Sequence, residues 1–195
     1  MAPPTRTSGY DRYAEQAEHD PLTGLPNRTV FFQRLDQALA TTERVGVCYL
    51  DLDGFKAIND TLGHDKGDEL LQAVGHRLMT DLGREGHLVA RMGGDEFVVL
   101  VEHDAAIDRL RAVARTALDA VCRPMTLDSH QVAISASVGI VQQGDGGAGA
   151  AQLMKAADTT VYWAKAAGGG RYAVFDAERH RADVGRFALL ARIPE

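Results

Sequence analysis

One short run of the chain limits its fold more than any other feature. Residues 45–52, VGVCYLDL, are mostly apolar and are bounded by charged residues. Such a run is typical of a strand that is buried on both faces, because neither set of alternating side chains is suited to water. It therefore predicts a strand at the centre of a sheet.

Other patterns predict helices around that sheet. Asn27 is placed to cap a helix that starts at residue 28, and leucine or valine recurs every four residues through 70–82. Further helices are predicted at 105–122 and 151–167, and further strands at 87–92, 97–101, 131–141 and 171–175. We expect an α/β (α+β) fold in which a mixed, largely antiparallel sheet is surrounded by helices.

Two glycines and two acids meet at one predicted turn. The run RMGGDEFVVL places Gly93 and Gly94 directly before Asp95 and Glu96, between two strand patterns. Glycine permits positive φ and close approach of a ligand, while adjacent carboxylates repel each other unless a cation lies between them. The turn is either a solvated hairpin, which is common in proteins, or a site for a phosphate-bearing ligand with Mg²⁺.

The polar run DLDGFKAINDTLGHDKGDE, residues 51–69, follows the central strand directly. Asp51 ends that strand, and ligands of α/β folds collect at the carboxyl ends of strands. A calcium loop of the EF-hand type is excluded, because Phe55 replaces a ligand and no glutamate follows at the required position. A plain polar loop remains an alternative to a binding site.

Composition narrows the class of protein. A net charge of −6 and a pI of about 5.6 disfavour binding to a nucleic-acid polymer. The two cysteines form no disulfide framework, and no apolar stretch is long enough to cross a membrane, so we expect a soluble cytoplasmic protein. We expect a linker at 1–19, one domain at 20–176 and a C-terminal linker or tail at 177–195.

Five motifs together resemble one family. DPLTGLPNR, DLDGFKAINDTLGHDKGD, RMGGDEF, SASVGI and ADTTVYWAK occur in the order and at the spacing of GGDEF-domain diguanylate cyclases, enzymes that condense two GTP into cyclic di-GMP. The resemblance runs from about Asp20 to Phe175. It implies a five-stranded sheet like the palm of nucleotidyl cyclases and polymerases, with the GGDEF hairpin at the active site.

The resemblance also implies roles for single residues. Mg²⁺, with Mn²⁺ as the alternative, would be bound by the carboxylates of Asp51, Asp95 and Glu96 and by the carbonyl of Leu52. The catalytic residues would be Asp95 as the base, Lys56 and Glu96. The residues implied to contact GTP are Phe55, Asn59, His64, Asp68, Gly93, Gly94 and Lys165.

The implied roles suit the chemistry of these side chains. The amide of Asn59 can donate to guanine O6, and the carboxylate of Asp68 can accept from guanine N1 and N2. Lys56 and Lys165 would bind phosphates, although a lysine in the last turn of a helix can also simply interact with the helix dipole.

Two positions depart from the family pattern. Gly169 stands where an arginine commonly assists the triphosphate, and Arg171 lies two residues further on. An inhibitory product site of the form RxxD is represented by Arg84, but His87 replaces its aspartate. We therefore expect weaker phosphate binding, unless Arg171 takes the place of that arginine, and a degenerate inhibitory site.

The resemblance implies an assembly as well. Each domain would hold one GTP, so two copies must meet, at least as a transient homodimer. The full-length protein would add a sensory domain or an EAL phosphodiesterase domain. Two alternatives remain open, namely a domain that binds GTP or cyclic di-GMP without turnover and a cyclase for another nucleotide.

Overall fold

The central strand of the fold is the apolar run after residue 45. In the computed structural model, strand β1 (Gly46–Asp53) pairs antiparallel with β3 (Glu96–Val101) and with β6 (Ser135–Gln142). Strand β2 (Leu88–Gly93) pairs antiparallel with β3, and β7 (Tyr172–Val174) runs parallel to β6. The strand order β2-β3-β1-β6-β7 confirms a mixed, largely antiparallel sheet with β1 in its middle.

The structure describes residues 18–42, 44–128, 130–144 and 149–190. Residues 1–17 of the expected linker 1–19, residues 145–148 of the glycine-rich loop 144–149 and the end of the tail at 191–195 lie outside the described residues.

Helices cover both faces of the sheet. Those in the described ranges are α1 (Arg28–Thr41), α2 (Phe55–Leu62), α3 (His64–Asp81), α4 (Ile107–Cys122), α5 (Ala150–Ala166) and α6 (Ala177–Leu190). A 3₁₀ turn (Gly83–Glu85) follows α3, and β4 (Met125–Leu127) and β5 (His130–Val132) form a separate hairpin. Asn27 caps α1, because its Oδ1 accepts from the Val30 amide at 3.1 Å. Within the described part of the chain, none of the helices has the length and apolar character needed to span a bilayer.

Side chains of β1 alternate between two cores. Cys48, Leu50 and Leu52 pack on the face covered by α3 and α4. Val47 and Tyr49 pack on the face covered by α1 and α5. Burying one such apolar side chain contributes about 1.5 to 3 kcal/mol, so both faces hold the strand in register. The direction of the alternation sends Asp51 to the α1/α5 face, at the end of the strand.

The C-terminal segment contacts the domain through one tryptophan. Trp163 of α5 donates from Nε1 to Asp183 Oδ2 of α6 at 2.9 Å. The guanidinium of Arg179 lies 4.5 Å from the centroid of the same ring, and Phe175 stacks on it at a centroid distance of 5.8 Å. Helix α6 therefore packs on α5 instead of extending away from it.

Close packing of α5 on the sheet depends on Gly139 of β6. A Cβ atom at this position would overlap with the backbone carbonyl of Ala157 and lie 2.7 Å from the amide nitrogen of Val161. Both atoms belong to α5 and cannot move without the helix. The missing side chain thus sets the distance between α5 and the strand.

We predict that Gly139→Ala lowers the free energy of unfolding by about 1 to 3 kcal/mol, since the helix must shift to admit the methyl group. Urea denaturation followed by circular dichroism measures this change. Gly185→Ala in α6 is the matched control, because a Cβ there meets no described atom within 4 Å. Equal stability of the Gly139→Ala and unmodified proteins would contradict this account of the packing.

Candidate active site

The sheet brings three acidic side chains to one end of β1. Asp51 lies directly opposite Glu96 in the β1–β3 ladder and opposite Ser137 in the β1–β6 ladder. Asp95 lies next to Glu96 at the hairpin tip, and its carbonyl oxygen accepts a hydrogen bond from the Leu52 amide at 3.2 Å. Residues that are 43 or more positions apart in sequence are thereby held together by backbone pairing.

The two hairpin glycines are required by backbone conformation. Gly93 has φ of 133° and Gly94 has φ of 52°, and the β2–β3 register shifts between Arg91 and Gly93. A Cβ at either glycine would meet no described atom within 4 Å, so the turn leaves open space beside its backbone. The glycines serve both functions considered from the sequence: they permit the turn and leave its surface accessible.

Burial and mutual repulsion perturb the carboxylates. Burial raises the pKa of Asp51 above its usual value, the ammonium of Lys165 opposes the shift, and the charges of Asp95 and Asp53 add to it. Burial also raises the pKa of Glu96, while the Tyr49 hydroxyl lowers it as a hydrogen-bond donor. Carboxylates with raised pKa values that cluster at the end of a strand are typical of a functional site.

A lysine supplies positive charge to this group. Lys165 lies in the last turn of α5, and its Nζ is 2.6 Å from Asp51 Oδ1. The side chain of Lys165 is 42% exposed, whereas that of Asp51 is 18% exposed. Lys165 therefore contacts Asp51, an expected metal ligand, and its binding to phosphates stays a prediction.

Asp53 holds a glycine loop against the end of β1. Its carboxylate accepts from the hydroxyls of Ser135 and Ser137 and from the amide of Gly170, each at 2.8 Å. The loop and the end of β1 border an open cavity of about 410 Å³. Its lining residues are Asp53, Gly54, Ser135, Lys165, Gly168 and Gly169. Sequence reasoning missed the role of Asp53, although the serines of SASVGI were a signal for it.

Arg91 holds the hairpin tip from the opposite side. Its guanidinium donates to the Gly94 carbonyl from Nε at 3.1 Å and from Nη2 at 2.7 Å, and from Nη1 to Asp20 Oδ1 at 2.9 Å. The Thr23 amide and hydroxyl also donate to Asp20 Oδ1, at 2.9 and 2.7 Å. Burial acts to raise the pKa of Asp20, but these hydrogen bonds outweigh it and the pKa is lowered. Neither Arg91 nor Asp20 was among the residues expected at the site.

The expected guanine-reading residues lie on α2 and α3. Asn59 packs over Gly67, where a Cβ atom would overlap with the Asn59 Oδ1, and Asp68 is the next residue along α3. That buried Oδ1 accepts no hydrogen bond from the described residues, and Asp68 is exposed. An amide oxygen that is buried without a partner costs roughly 1 to 3 kcal/mol.

Other expected residues occupy less specific positions. Phe55 is buried in the apolar core, and the tip of its ring lies close to Gly67, so its side chain packs between α2 and α3. Lys56 and His64 are exposed at the starts of α2 and α3. Among the described residues, no hydrogen bond or ion pair joins Lys56, His64 or Asp68 to the carboxylates at the end of β1.

The donor set decides which metal ion would suit this site. The described residues contain no group of three or more His, Cys, Asp and Glu side chains that could hold a metal ion. Mg²⁺ needs no such group, because it is usually bound by one or two carboxylates together with waters and substrate phosphates. The contact between the Lys165 ammonium and Asp51 shows that this position accommodates a cation. The oxygen donors of Asp51 and Asp95 thus suit Mg²⁺ or Mn²⁺ that arrives with a nucleotide.

Arg84 and His87 do not form a pair. Arg84 is exposed on the 3₁₀ turn. The His87 side chain is 8% exposed, and its Nε2 lies 3.2 Å from Arg109 Nη2, which also donates to Glu85 at 2.9 Å. Burial lowers the pKa of His87, and the charge of Arg109 lowers it further. The neutral imidazole is thus engaged as an acceptor by Arg109.

Comparisons with known proteins agree with the fold and the motifs. The family described as "Diguanylate cyclase, GGDEF domain" matches residues 17–171. The bifunctional diguanylate cyclase/cyclic di-GMP phosphodiesterase MucR of Pseudomonas aeruginosa is 40% identical over 164 residues, which are 82% of this chain and 24% of MucR. The diguanylate cyclase TpbB of the same species is 41% identical over 158 residues, which are 78% of this chain and 36% of TpbB. The cyclic di-GMP phosphodiesterase PdeR of Escherichia coli is 38% identical over 167 residues, which are 85% of this chain and 25% of PdeR.

Solved structures give the same result. A structure comprising only the GGDEF domain of TpbB from Pseudomonas aeruginosa is 36% identical, covers 84% of this chain and 98% of that chain, and has a TM-score of 0.79. The fold and the acidic hairpin define a GGDEF-type domain. The chain belongs to the GGDEF-domain family, and it spans about a quarter of the length of MucR and PdeR.

We predict that Arg91→Lys loosens the hairpin tip, because an ammonium cannot reproduce the forked contacts to Gly94 and Asp20. The Leu52 amide, which donates to the Asp95 carbonyl, should exchange its hydrogen about tenfold faster. Hydrogen exchange measured by NMR tests this. Arg111→Lys, a change at a half-exposed arginine of α4, serves as the control. An unchanged exchange rate at Leu52 would exclude Arg91 as a positioning residue of the hairpin.

Proposed function

We propose that this domain is a diguanylate cyclase, which condenses two molecules of GTP into cyclic di-GMP and releases pyrophosphate. The observation that carries the proposal is the cluster at the end of β1. There Asp51, Glu96 and Asp95 lie around an open glycine turn, with the Lys165 ammonium against Asp51. Support also comes from TpbB, a relative named as a diguanylate cyclase.

The reaction makes one bond and breaks one bond in each of two equivalent steps. The 3′-hydroxyl oxygen of one GTP attacks the α-phosphorus of the other, and the bond from that phosphorus to the β-phosphate bridging oxygen breaks. Asp95 takes the hydroxyl proton, and pyrophosphate leaves with the electron pair of the broken bond. Bound with the nucleotide, Mg²⁺ or Mn²⁺ would lower the pKa of the hydroxyl and offset charge on the phosphate.

The chain's own residues orient the nucleotide. Lys56 and Lys165 are expected to bind phosphates, and an ammonium there stabilises charge that grows in the transition state. Asn59 and Asp68 would read guanine, because adenine presents the reverse donor and acceptor pattern and would leave both groups unpaired. His64 would contact the substrate near the start of α3. Glu96, which accepts a hydrogen bond from the Tyr49 hydroxyl, would help to hold the cation, as would the Leu52 carbonyl.

Two nucleotides in one reaction require two copies of the domain. Among the described residues, each copy offers one such group of carboxylates, at the end of β1 beside the open hairpin, so the attacking hydroxyl would come from the nucleotide of a second copy that faces the first. We therefore propose a homodimer that forms at least transiently. MucR and PdeR are longer than this chain, and we propose that a sensory or EAL domain accompanies the domain in a full-length protein.

A second candidate function is a domain that binds GTP or cyclic di-GMP without turnover and regulates a neighbour. Gly169, in place of the usual arginine, and relatives such as PdeR and NbdA, which are named as phosphodiesterases, favour this alternative. The complete acidic cluster favours the cyclase.

Chromatography of a reaction with GTP and Mg²⁺ separates the two functions. We predict that the unmodified protein forms cyclic di-GMP and that Asp95→Asn reduces the rate at least about 100-fold, since the change removes a base with little change of shape. Asp108→Asn is the matched control, because that side chain is 88% exposed on α4. Cyclic di-GMP formed at an unchanged rate by Asp95→Asn would exclude the proposed mechanism, and no product from the unmodified protein would favour the binding domain.

We also predict weak product feedback. A neutral imidazole has one acceptor nitrogen, and at His87 that nitrogen faces Arg109, so it cannot replace a carboxylate that would accept twice from guanine. Relative to a site with an aspartate at this position, the affinity for cyclic di-GMP should be lower by a factor on the order of 30 or more. Calorimetry with the Asp95→Asn protein measures binding, and initial rates with added product measure inhibition.

The arginine of the degenerate site provides the control for feedback. Arg84→Ala should leave both binding and inhibition unchanged, because Arg84 lacks its acidic partner. Strong inhibition of the unmodified protein that disappears in Arg84→Ala would show that the histidine is tolerated and that the expectation is wrong.

A further inference from the structure

The end of β1 concentrates negative charge with little opposing charge. Four carboxylates lie there: Asp51, Asp53, Asp95 and Glu96. Asp53 is engaged by two hydroxyls and one amide, whereas Asp51 is contacted by the ammonium of Lys165. Among the described residues, the ion pair at 2.6 Å between Lys165 and Asp51 is the contact that brings a cation into this group.

Asp51 needs such a cation. Its side chain is 18% exposed, and both Glu96 and Asp95 lie close by. A partly buried carboxylate surrounded by like charges is destabilising unless an opposite charge lies within a few ångströms. Lys165 meets this requirement through its ion pair with Asp51.

The contact is suited to being broken. The ion pair joins Lys165 Nζ to one carboxylate oxygen, Asp51 Oδ1, and an ammonium is a compact charge on a flexible stem. The lysine backbone is fixed, because Trp163 and Ala164 next to it are buried and the Lys165 carbonyl accepts from the Gly168 amide at 3.0 Å. Its long side chain also lines the adjacent cavity of about 410 Å³.

We propose that Lys165 is a tethered counter-ion that occupies Asp51 in the absence of ligand and competes with a divalent cation for that carboxylate. When nucleotide and cation bind together, the ammonium leaves Asp51 and turns into the cavity, where it meets the anionic phosphates. The movement toward phosphates rests on the proposed function, because it takes the ligand to be a nucleoside triphosphate. The competition for Asp51 does not.

The proposal makes two predictions of opposite sign. Loss of the ammonium removes a competitor for Asp51 and should tighten binding of a divalent cation alone. The same loss removes a phosphate contact and should weaken binding of the nucleotide. A lysine that acted on phosphates alone would leave binding of the free cation unchanged.

The experiment measures Mn²⁺ binding without nucleotide, by the electron paramagnetic resonance signal of free Mn²⁺. Lys165→Met should bind Mn²⁺ about fivefold more tightly or better than the unmodified protein, while Lys165→Arg, which keeps the charge, should not. Lys155→Met, an exposed lysine on the same helix, is the control and should have no effect. The gain should disappear when Asp51→Asn is added to Lys165→Met. Circular dichroism confirms folding, and Lys165→Gln provides a second neutral variant.

A second measurement follows binding of a non-hydrolysable GTP analogue in the presence of Mn²⁺, which Lys165→Met should weaken. Unchanged or weaker Mn²⁺ binding in both neutral variants would overturn the counter-ion role. Tighter Mn²⁺ binding with unchanged analogue affinity would overturn the movement toward phosphates. Neither measurement requires turnover, so a protein without cyclase activity that still shows the Mn²⁺ effect would contradict the proposed function and support the counter-ion.

Discussion

Repulsion between carboxylates at the end of β1 is the constraint on which the local structure depends. Asp51 and Glu96 are directly opposed across an antiparallel ladder, and like charges in that position are destabilising. The ladder cannot relax, because β1 is paired on both sides and its side chains are buried in two cores. The apolar interior of the sheet therefore stabilises an arrangement that the acidic side chains alone would oppose. Packing of the sheet thus offsets the repulsion between the carboxylates and keeps the anionic site preorganised.

Two side chains fix the surroundings of this site from opposite sides. Arg91 joins the hairpin tip to the turn that contains Asp20, and Asp53 joins the glycine loop to the end of β1. Both are partly buried, and each makes several hydrogen bonds. Their effect is to hold the backbone on which Asp95 and Lys165 are carried, in the way that supporting residues orient catalytic ones.

Patterns within short segments predicted most of the fold. The apolar run of β1, the cap at Asn27 and the four-residue repeat of α3 each depend on neighbours in sequence, and the structure agrees with them. The contacts of Arg91 with Asp20 and of Asp53 with Ser137 span 71 and 84 residues, and they follow from strand register that no local pattern specifies. The sequence showed that a histidine stands at position 87. It could not show that Arg109 is its partner, because that contact also joins residues that are distant in sequence.

The departure at Gly169 has a structural reason that involves Asp53. Gly168, Gly169 and Gly170 all have positive φ, from 60° to 110°, and this conformation directs the Gly170 amide at the Asp53 carboxylate. A Cβ at position 169 would lie 3.1 Å from Asp53 Oδ2, and a long side chain at φ of 70° would strain the backbone as well. Arg171 donates from Nε to the Gly169 carbonyl at 3.1 Å, which directs it back onto the loop. Among the described residues that line the cavity, Lys165 is the one with a cationic side chain, so the lysine that contacts the Asp51 carboxylate also borders this space.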